Sequence, residues 1–236
     1  ACACCPPNVA RLLASLSEYA WHVLPGKLFS NLFIDGTLDL RDTFGGRIRL
    51  ETAYPYGNKI TYRFEPEEET MSVPLAIRIP AWSTGTLICL NGKPVKYEME
   101  ESGYAFLYRD FKASDELTVE LEMPVKKVYT CNKVSANTGK AAVQRGPLIY
   151  CAEGVDNAGD VLSLSLKKGG SITVGEYLPD KLFGIQELYA EGYRETGAET
   201  LYSYETPAAE ECRITLIPYY AWGNRGLNQM RVWIPE

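Results

Sequence analysis

Between Pro25 and Lys27 the apolar residues of this chain change their period, and that change confines the sequence to one helix followed by sheet. Upstream, Val9, Leu12, Leu13, Leu16, Tyr19, Ala20 and Val23 recur at spacings of three and four, which lays one apolar stripe along an α-helix. Asn8, behind Pro6-Pro7, is placed to cap its start and Pro25-Gly26 to stop it, so the spacing predicts a helix of about four turns over roughly residues 8–24. Downstream the period is two. Ile48 and Leu50 alternate with Arg47, Arg49 and Glu51; Leu75, Ile77 and Ile79 alternate with Ala76, Arg78 and Pro80; Leu117, Val119, Leu121 and Met123 alternate with Thr118, Glu120 and Glu122. Such strands present one face to a core and one to water.

Asp35-Gly36, Gly57-Asn58 and Asn91-Gly92 fall between these runs, where hairpin turns with positive φ are required. The expected fold is therefore mainly β, two consecutive antiparallel β-sandwich domains of jelly-roll-like character, since 236 residues suffice for two cores. The first sandwich is expected to close between Pro124 and Lys133, which divides the sheet region into residues 27–128 and 129–236. Within the second half, Lys140–Ala152, Leu162–Leu166, Arg213–Tyr220 and Met230–Ile234 read as strands.

A formal charge of −6 and a pI near 5.1 disfavour nucleic acid as a partner, because that affinity rests on Lys and Arg neutralising phosphates. No apolar run approaches the roughly 18 to 20 residues that span a bilayer, so no membrane partner is expected. Seven cysteines make an odd number, and Cys89, Cys131, Cys151 and Cys212 are scattered, which reads as small buried hydrophobes on strands and not as a disulfide framework. That usage fits a reducing compartment such as the cytoplasm without deciding it, and a periplasmic location is compatible.

Cys2-Ala3-Cys4-Cys5, directly before the helix, is the one constellation that carries chemistry on its face. Helix N–H groups and the positive end of the dipole favour a thiolate, which is both the nucleophilic and the metal-binding form of cysteine. Two adjacent sulfurs do not complete a tetrahedral zinc site, so further ligands must come from elsewhere. His22, the sole histidine, would lie near the far end of the predicted helix, roughly 20 Å or more away, and reads as a helix-end or packing residue. On residues alone, a set of structural thiols stands beside the catalytic reading.

The run Cys4-Cys5-Pro6-Pro7-Asn8-Val9-Ala10-Arg11 resembles the signature of glycoside hydrolase family 127, the β-L-arabinofuranosidase-like enzymes. Further resemblances follow in order: Ile77-Arg78-Ile79-Pro80-Ala81-Trp82, Leu90-Asn91-Gly92-Lys93, Gln144-Arg145-Gly146-Pro147-Leu148-Ile149-Tyr150, and Ile217 through Gly226. The resemblance implies that residues 1–26 are the last helix of a catalytic (α/α)6 barrel and that the rest forms the two sandwiches, so the chain is expected to be the C-terminal piece of a longer protein. It also implies retention of configuration, with Cys4 as nucleophile, Cys4 and Cys5 as zinc ligands and Cys2 at a cysteine of unassigned role. The remaining zinc ligands, a Glu and a Cys, and the acid/base Glu are implied to lie in the barrel, upstream of residue 1. The implied partner is an L-arabinose-containing oligosaccharide or glycan.

Asp35, Asp39, Asp42, Glu51 and the run from Glu65 to Glu69 read as turn or surface carboxylates. Arg145-Gly146-Pro147 and Tyr219–Arg225 read as core and turn elements, since aromatic residues near strands usually pack inside. Two other roles are weighed against the enzyme fragment: a non-catalytic carbohydrate-binding module, and a structural module. A helix stripe left uncovered would favour self-association, a homodimer being the simplest form.

Overall fold

The computed structural model describes residues 4–197 and 200–236. Its internal contacts divide the chain into two units, Ala1–Glu122 and Met123–Glu236, each built on sheet.

The helix differs from its expected extent. It runs over Cys5–Ala14 and ends at Ser15, whose Oγ donates to the Arg11 carbonyl at 2.9 Å and diverts the backbone; a single turn, Leu16–Ala20, follows. Trp21–Leu24 is a strand, paired antiparallel with Lys27–Ser30 in the register Trp21↔Ser30 to Leu24↔Lys27. Pro25-Gly26 thus turns a hairpin, with Gly26 at φ 71°, where the periodicity predicted the end of a helix. Trp21, His22 and Val23 suit a pleated surface, and pairing with a neighbouring strand outweighs a weak helical preference. Asn8 does not cap: its amide already bonds to the Cys4 carbonyl at 3.2 Å inside the helix, while Pro6 and Pro7 take the first turn, where a missing N–H is tolerated.

In the first unit a five-stranded sheet has the order Trp21–Leu24, Lys27–Ser30, Met71–Arg78, Tyr104–Phe111, Glu98–Met99. A six-stranded sheet has the order Gly36–Asp39, Gly46–Thr52, Lys59–Pro66, Glu116–Leu121, Thr86–Leu90, Lys93–Pro94. Pairing is antiparallel except between Lys27–Ser30 and Met71–Arg78, which run parallel because the intervening chain crosses to the six-stranded sheet before it returns. Ile48, Leu50, Ile60, Phe64, Leu117 and Val119 of one sheet are buried along with Leu28, Val73, Leu75, Ile77 and Phe111 of the other. Phe64 stacks on Phe111 across the gap with centroids 3.9 Å apart. Of the expected turns, Asn91-Gly92 has both residues at positive φ between paired Leu90 and Lys93; Gly36 begins a strand, and Gly57-Asn58 ends the longer connection 53–58.

One polar pair lies in that core. Ser30 Oγ and Tyr62 OH, on fully buried residues, hydrogen-bond at 2.9 Å between the sheets. Burial drives the Tyr62 hydroxyl far above its ordinary range, so it stays neutral and available as donor. Replacing Tyr62 by Phe strands the Ser30 hydroxyl, and a loss of about 1–3 kcal/mol in urea unfolding is expected. The double variant Ser30→Ala/Tyr62→Phe should recover most of it; no recovery would show that the loss comes from packing instead.

The second unit is one continuous nine-stranded sheet bent over its own core. The order runs Val125–Val128, Lys140–Arg145, Leu148–Glu153, Ala209–Pro218, Ile185–Glu195, Leu164–Leu166, with Ile172–Leu178 paired to Ile185–Glu195. Ile234–Pro235 pairs with Lys140–Arg145 and lies against Leu164–Leu166, so the curl brings the two sides together. Val143, Tyr150, Leu164, Leu188, Ile214, Leu216 and Ile234 fill the interior, while Cys151, Ile185, Ile217 and Ala221 form a smaller cluster. The Arg145–Leu148 hairpin turns at Gly146-Pro147, with Gly146 at φ 54° and the Met123 side chain where a Cβ would stand.

Two scattered cysteines, Cys89 and Cys151, are buried on strands, and Cys212 on its strand is half-buried. Cys131 departs from the expectation: it is exposed in the connection after Val128. No helix among the described residues is long and apolar enough to cross a membrane.

Candidate functional site

Cys4 stands at the cap position of the helix and Cys5 is its first residue, both exposed, with their Sγ atoms 3.7 Å apart. A tetrahedral zinc with Zn–S bonds of about 2.3 Å sets two sulfurs roughly 3.7 Å apart, so this pair has the spacing of one edge of such a site. The helix itself gives less to a thiolate than its position suggests. Pro6 and Pro7 lack N–H groups and the Asn8 N–H is bonded to Cys4, which leaves little of the first-turn donor set. Among the described residues no group of three or more His, Cys, Asp or Glu could hold a metal ion, so those residues offer this pair without the rest of a site. Cys2 lies outside the described residues. His22 is exposed on the hairpin with its ring 6.3 Å from that of Phe29, and so is not at a helix end.

Along the helix the apolar stripe is open: Val9, Leu12, Leu13 and Tyr19 are between 54 and 66% exposed, and no residue of Cys5–Ala14 is buried.

A second arrangement, in the second unit, was not legible in the sequence. Glu153, fully buried, accepts hydrogen bonds from the Gly223 amide at 2.8 Å and from both Nε and Nη2 of Arg225. Asp156 accepts from Arg225 Nη1 and Lys181 Nζ at 2.8 and 2.9 Å; Lys181 also donates to Glu187 at 2.6 Å, and Tyr189 OH donates to Glu187 at 2.8 Å. Burial pushes the Glu153 and Asp156 carboxyls up, but these donors outweigh it and hold both below the usual carboxylate range. The same burial pushes the neighbouring Cys151 thiol up to about 12, which leaves it inert. The partners span residues 153–225, and no short motif could announce them.

This network fixes the loop that follows Ala209–Pro218. Tyr219–Ala221 is a 3-10 turn; Ala221 is buried, whereas Tyr219, Tyr220 and Trp222 are 45, 57 and 42% exposed. Of the expected core and turn elements the turn and the buried Ala221 are present, whereas the three aromatic residues do not pack inside. They lie past the end of the strand, and only the small Ala221 enters the core.

The profile of the family 127 β-L-arabinofuranosidase middle domain matches residues 27–123, and that of the family 127 C-terminal domain matches residues 125–235. The chain belongs to glycoside hydrolase family 127. Similar to this family 127 chain is a non-reducing end β-L-arabinofuranosidase of Bifidobacterium longum subsp. longum, 35% identical over 244 residues, covering 98% of this chain and 37% of that protein. The fold of this chain matches a family 127 β-L-arabinofuranosidase of Geobacillus stearothermophilus T6 with a TM-score of 0.90 and 34% identity, over 100% of this chain and 38% of that one. A second family 127 structure, a β-arabinofuranosidase, gives a TM-score of 0.88 at 29% identity over 99% of this chain and 38% of its own. The chain thus spans less than two-fifths of these relatives' length and corresponds to the C-terminal portion of the family's architecture.

Proposed function

We propose that this chain is the C-terminal part of a retaining glycoside hydrolase that releases β-L-arabinofuranose from the non-reducing end of an arabinose-containing glycan. The observation that supports it most is the exposed Cys4–Cys5 pair with its sulfurs 3.7 Å apart, in a chain of family 127. Cys4 is the nucleophile, and Cys4 and Cys5 are two ligands of a zinc ion. Bound zinc would hold the sulfur as thiolate at neutral pH, a task for which the Pro-blocked helix start supplies few donors. The Cys4 thiolate attacks the anomeric carbon, a C–S bond forms, and the leaving oxygen departs with a proton from a general acid. Water then attacks the same carbon and gives its proton to that same group, now acting as base, while the C–S bond breaks to regenerate the thiolate.

The acid/base group and the other zinc ligands are assigned to the barrel of the full-length protein, so this chain alone is expected to be inert. The open stripe of Val9, Leu12, Leu13 and Tyr19 is the face on which that barrel would pack. In the full-length protein, Cys4→Ser should lower hydrolysis of an aryl β-L-arabinofuranoside by on the order of 10³-fold or more and lower the zinc content. A glycosyl adduct on Cys4, trapped with a slow substrate and read by mass spectrometry, should be absent from the variant. Hydrolysis that persists at the parental rate in Cys4→Ser would remove Cys4 as the nucleophile.

A further inference from the structure

The second unit carries a shallow, open cleft of about 590 Å3 lined by Tyr219, Trp233, Ile149 and Met230 together with Lys140 and Arg231. Trp222 is not part of that lining but lies beside Tyr219: the two rings are 6.4 Å apart and within 27° of parallel, and both side chains are partly exposed. Sugar rings expose faces of C–H bonds that stack on such aromatic planes, and a half-exposed aromatic pair held rigid loses little entropy when it is covered. The rigidity is built in. Gly223 N–H on buried Glu153, Asn224 Nδ2 on the Ala221 carbonyl at 3.0 Å and Arg225 on Glu153 and Asp156 fix both sides of Trp222.

Charge selects among glycans. No carboxylate lines the cleft, although the chain carries a net charge of −6. Among the described residues neither of its cations forms an ion pair: Lys140 Nζ donates to the Ala136 carbonyl at 2.8 Å, and Arg231 donates to the carbonyls of Trp233 and Leu162 at 3.1 and 3.0 Å. Carbonyl partners orient these groups and leave their positive charge unneutralised. We propose that this cleft and the Tyr219–Trp222 platform bind an acidic glycan, with sugar rings on the aromatic faces and uronate carboxylates against Lys140 and Arg231. The site would hold an enzyme on a carboxylated polysaccharide and is independent of Cys4 chemistry.

The test titrates the 236-residue chain with a galacturonate oligosaccharide, followed by tryptophan fluorescence and calorimetry at low and high salt. Saturable, sub-millimolar binding that weakens with salt is expected. Trp222→Ala and Tyr219→Ala should each weaken it roughly tenfold, Trp222→Phe should restore most of it, and Lys140→Gln should lower both affinity and salt dependence. Tyr108→Ala, which alters an exposed tyrosine of the first unit, should leave it unchanged. Circular dichroism of each variant identifies any loss that reflects unfolding. Absence of saturable binding by the parent overturns the proposal; so does equal, salt-insensitive binding of a neutral arabino-oligosaccharide, which would mean stacking without charge selection. Binding of poly-L-glutamate that survives Trp222→Ala also overturns it and makes the cleft a docking site for an acidic polypeptide.

Discussion

Arg225→Ala should destabilise the second unit by about 3–5 kcal/mol, read as a fall in unfolding midpoint. The guanidinium bonds to two carboxylates at once, and the Glu153 side chain is wholly inaccessible to water. Removing it leaves Glu153 with the Gly223 amide and Asn228, and Asp156 with Lys181, in a group of three carboxylates now facing one cation. Uncompensated buried charge accounts for the cost, since forming such a pair is itself a near balance of desolvation and attraction. Arg225→Lys should recover only part, because one ammonium cannot serve both carboxylates with the geometry of a fork. The parent should also lose stability in acid. Glu153 and Asp156 have folded pKa values held below their unfolded ones, so their contribution is present above the unfolded carboxylate range, around pH 4, and is lost as pH falls through the folded values. In Arg225→Ala that acid-sensitive part should shrink; an unchanged pH profile would show that the network does not govern it.

Gly192→Val should cost about 3 kcal/mol or more. Gly192 lies in Ile185–Glu195 between two paired strands, opposite Leu166 on one side and Cys212 on the other. A Cβ there would collide with the Ser165 backbone carbonyl and the Ile214 side chain. Ile214 can rotate, but the carbonyl belongs to a strand held in register by Ser165↔Tyr193 and Leu166↔Gly192. The sheet must therefore spread where Leu164, Leu166 and Ile214 close the interior. Gly197→Ala, where nothing lies within 4 Å, should stay within about 0.5 kcal/mol, and it separates crowding from the general effect of replacing a glycine. Equal losses from the two substitutions would defeat the steric explanation.

What could be read in advance followed the strength of local signals. Strands such as Gly46–Thr52, Met71–Arg78 and Glu116–Leu121 bury apolar residues at every second position, and their period of two is visible within six to eight residues. Ile185–Glu195, the longest strand among the described residues, is not visible as alternation, because Glu187 sits at a buried position where the pattern calls for an apolar residue. Its burial is tolerated only through Lys181 and Tyr189, partners that alternation does not predict. The helix is shorter than its apolar stripe for the opposite reason. Val23 continued the stripe by coincidence, and the pairing of Trp21–Leu24 with Lys27–Ser30 overrode it.

At the candidate sites the division is the same. Cys4 and Cys5 are adjacent and open a helix, so their shared chemistry is a property of consecutive residues; the 3.7 Å between their sulfurs is what the backbone conformation there adds. The aromatic cleft draws on residues from Lys140 to Trp233, and its shape depends on a loop fixed by Glu153 and Asp156 far upstream. By itself the sequence determined an initial helix, a mainly β remainder and a thiol pair, because period and adjacency act over a few residues. Which aromatic side chains face water, which acids are buried and how the strands are ordered were decided by the tertiary structure alone, because burial and ion pairing depend on neighbours that only folding brings together.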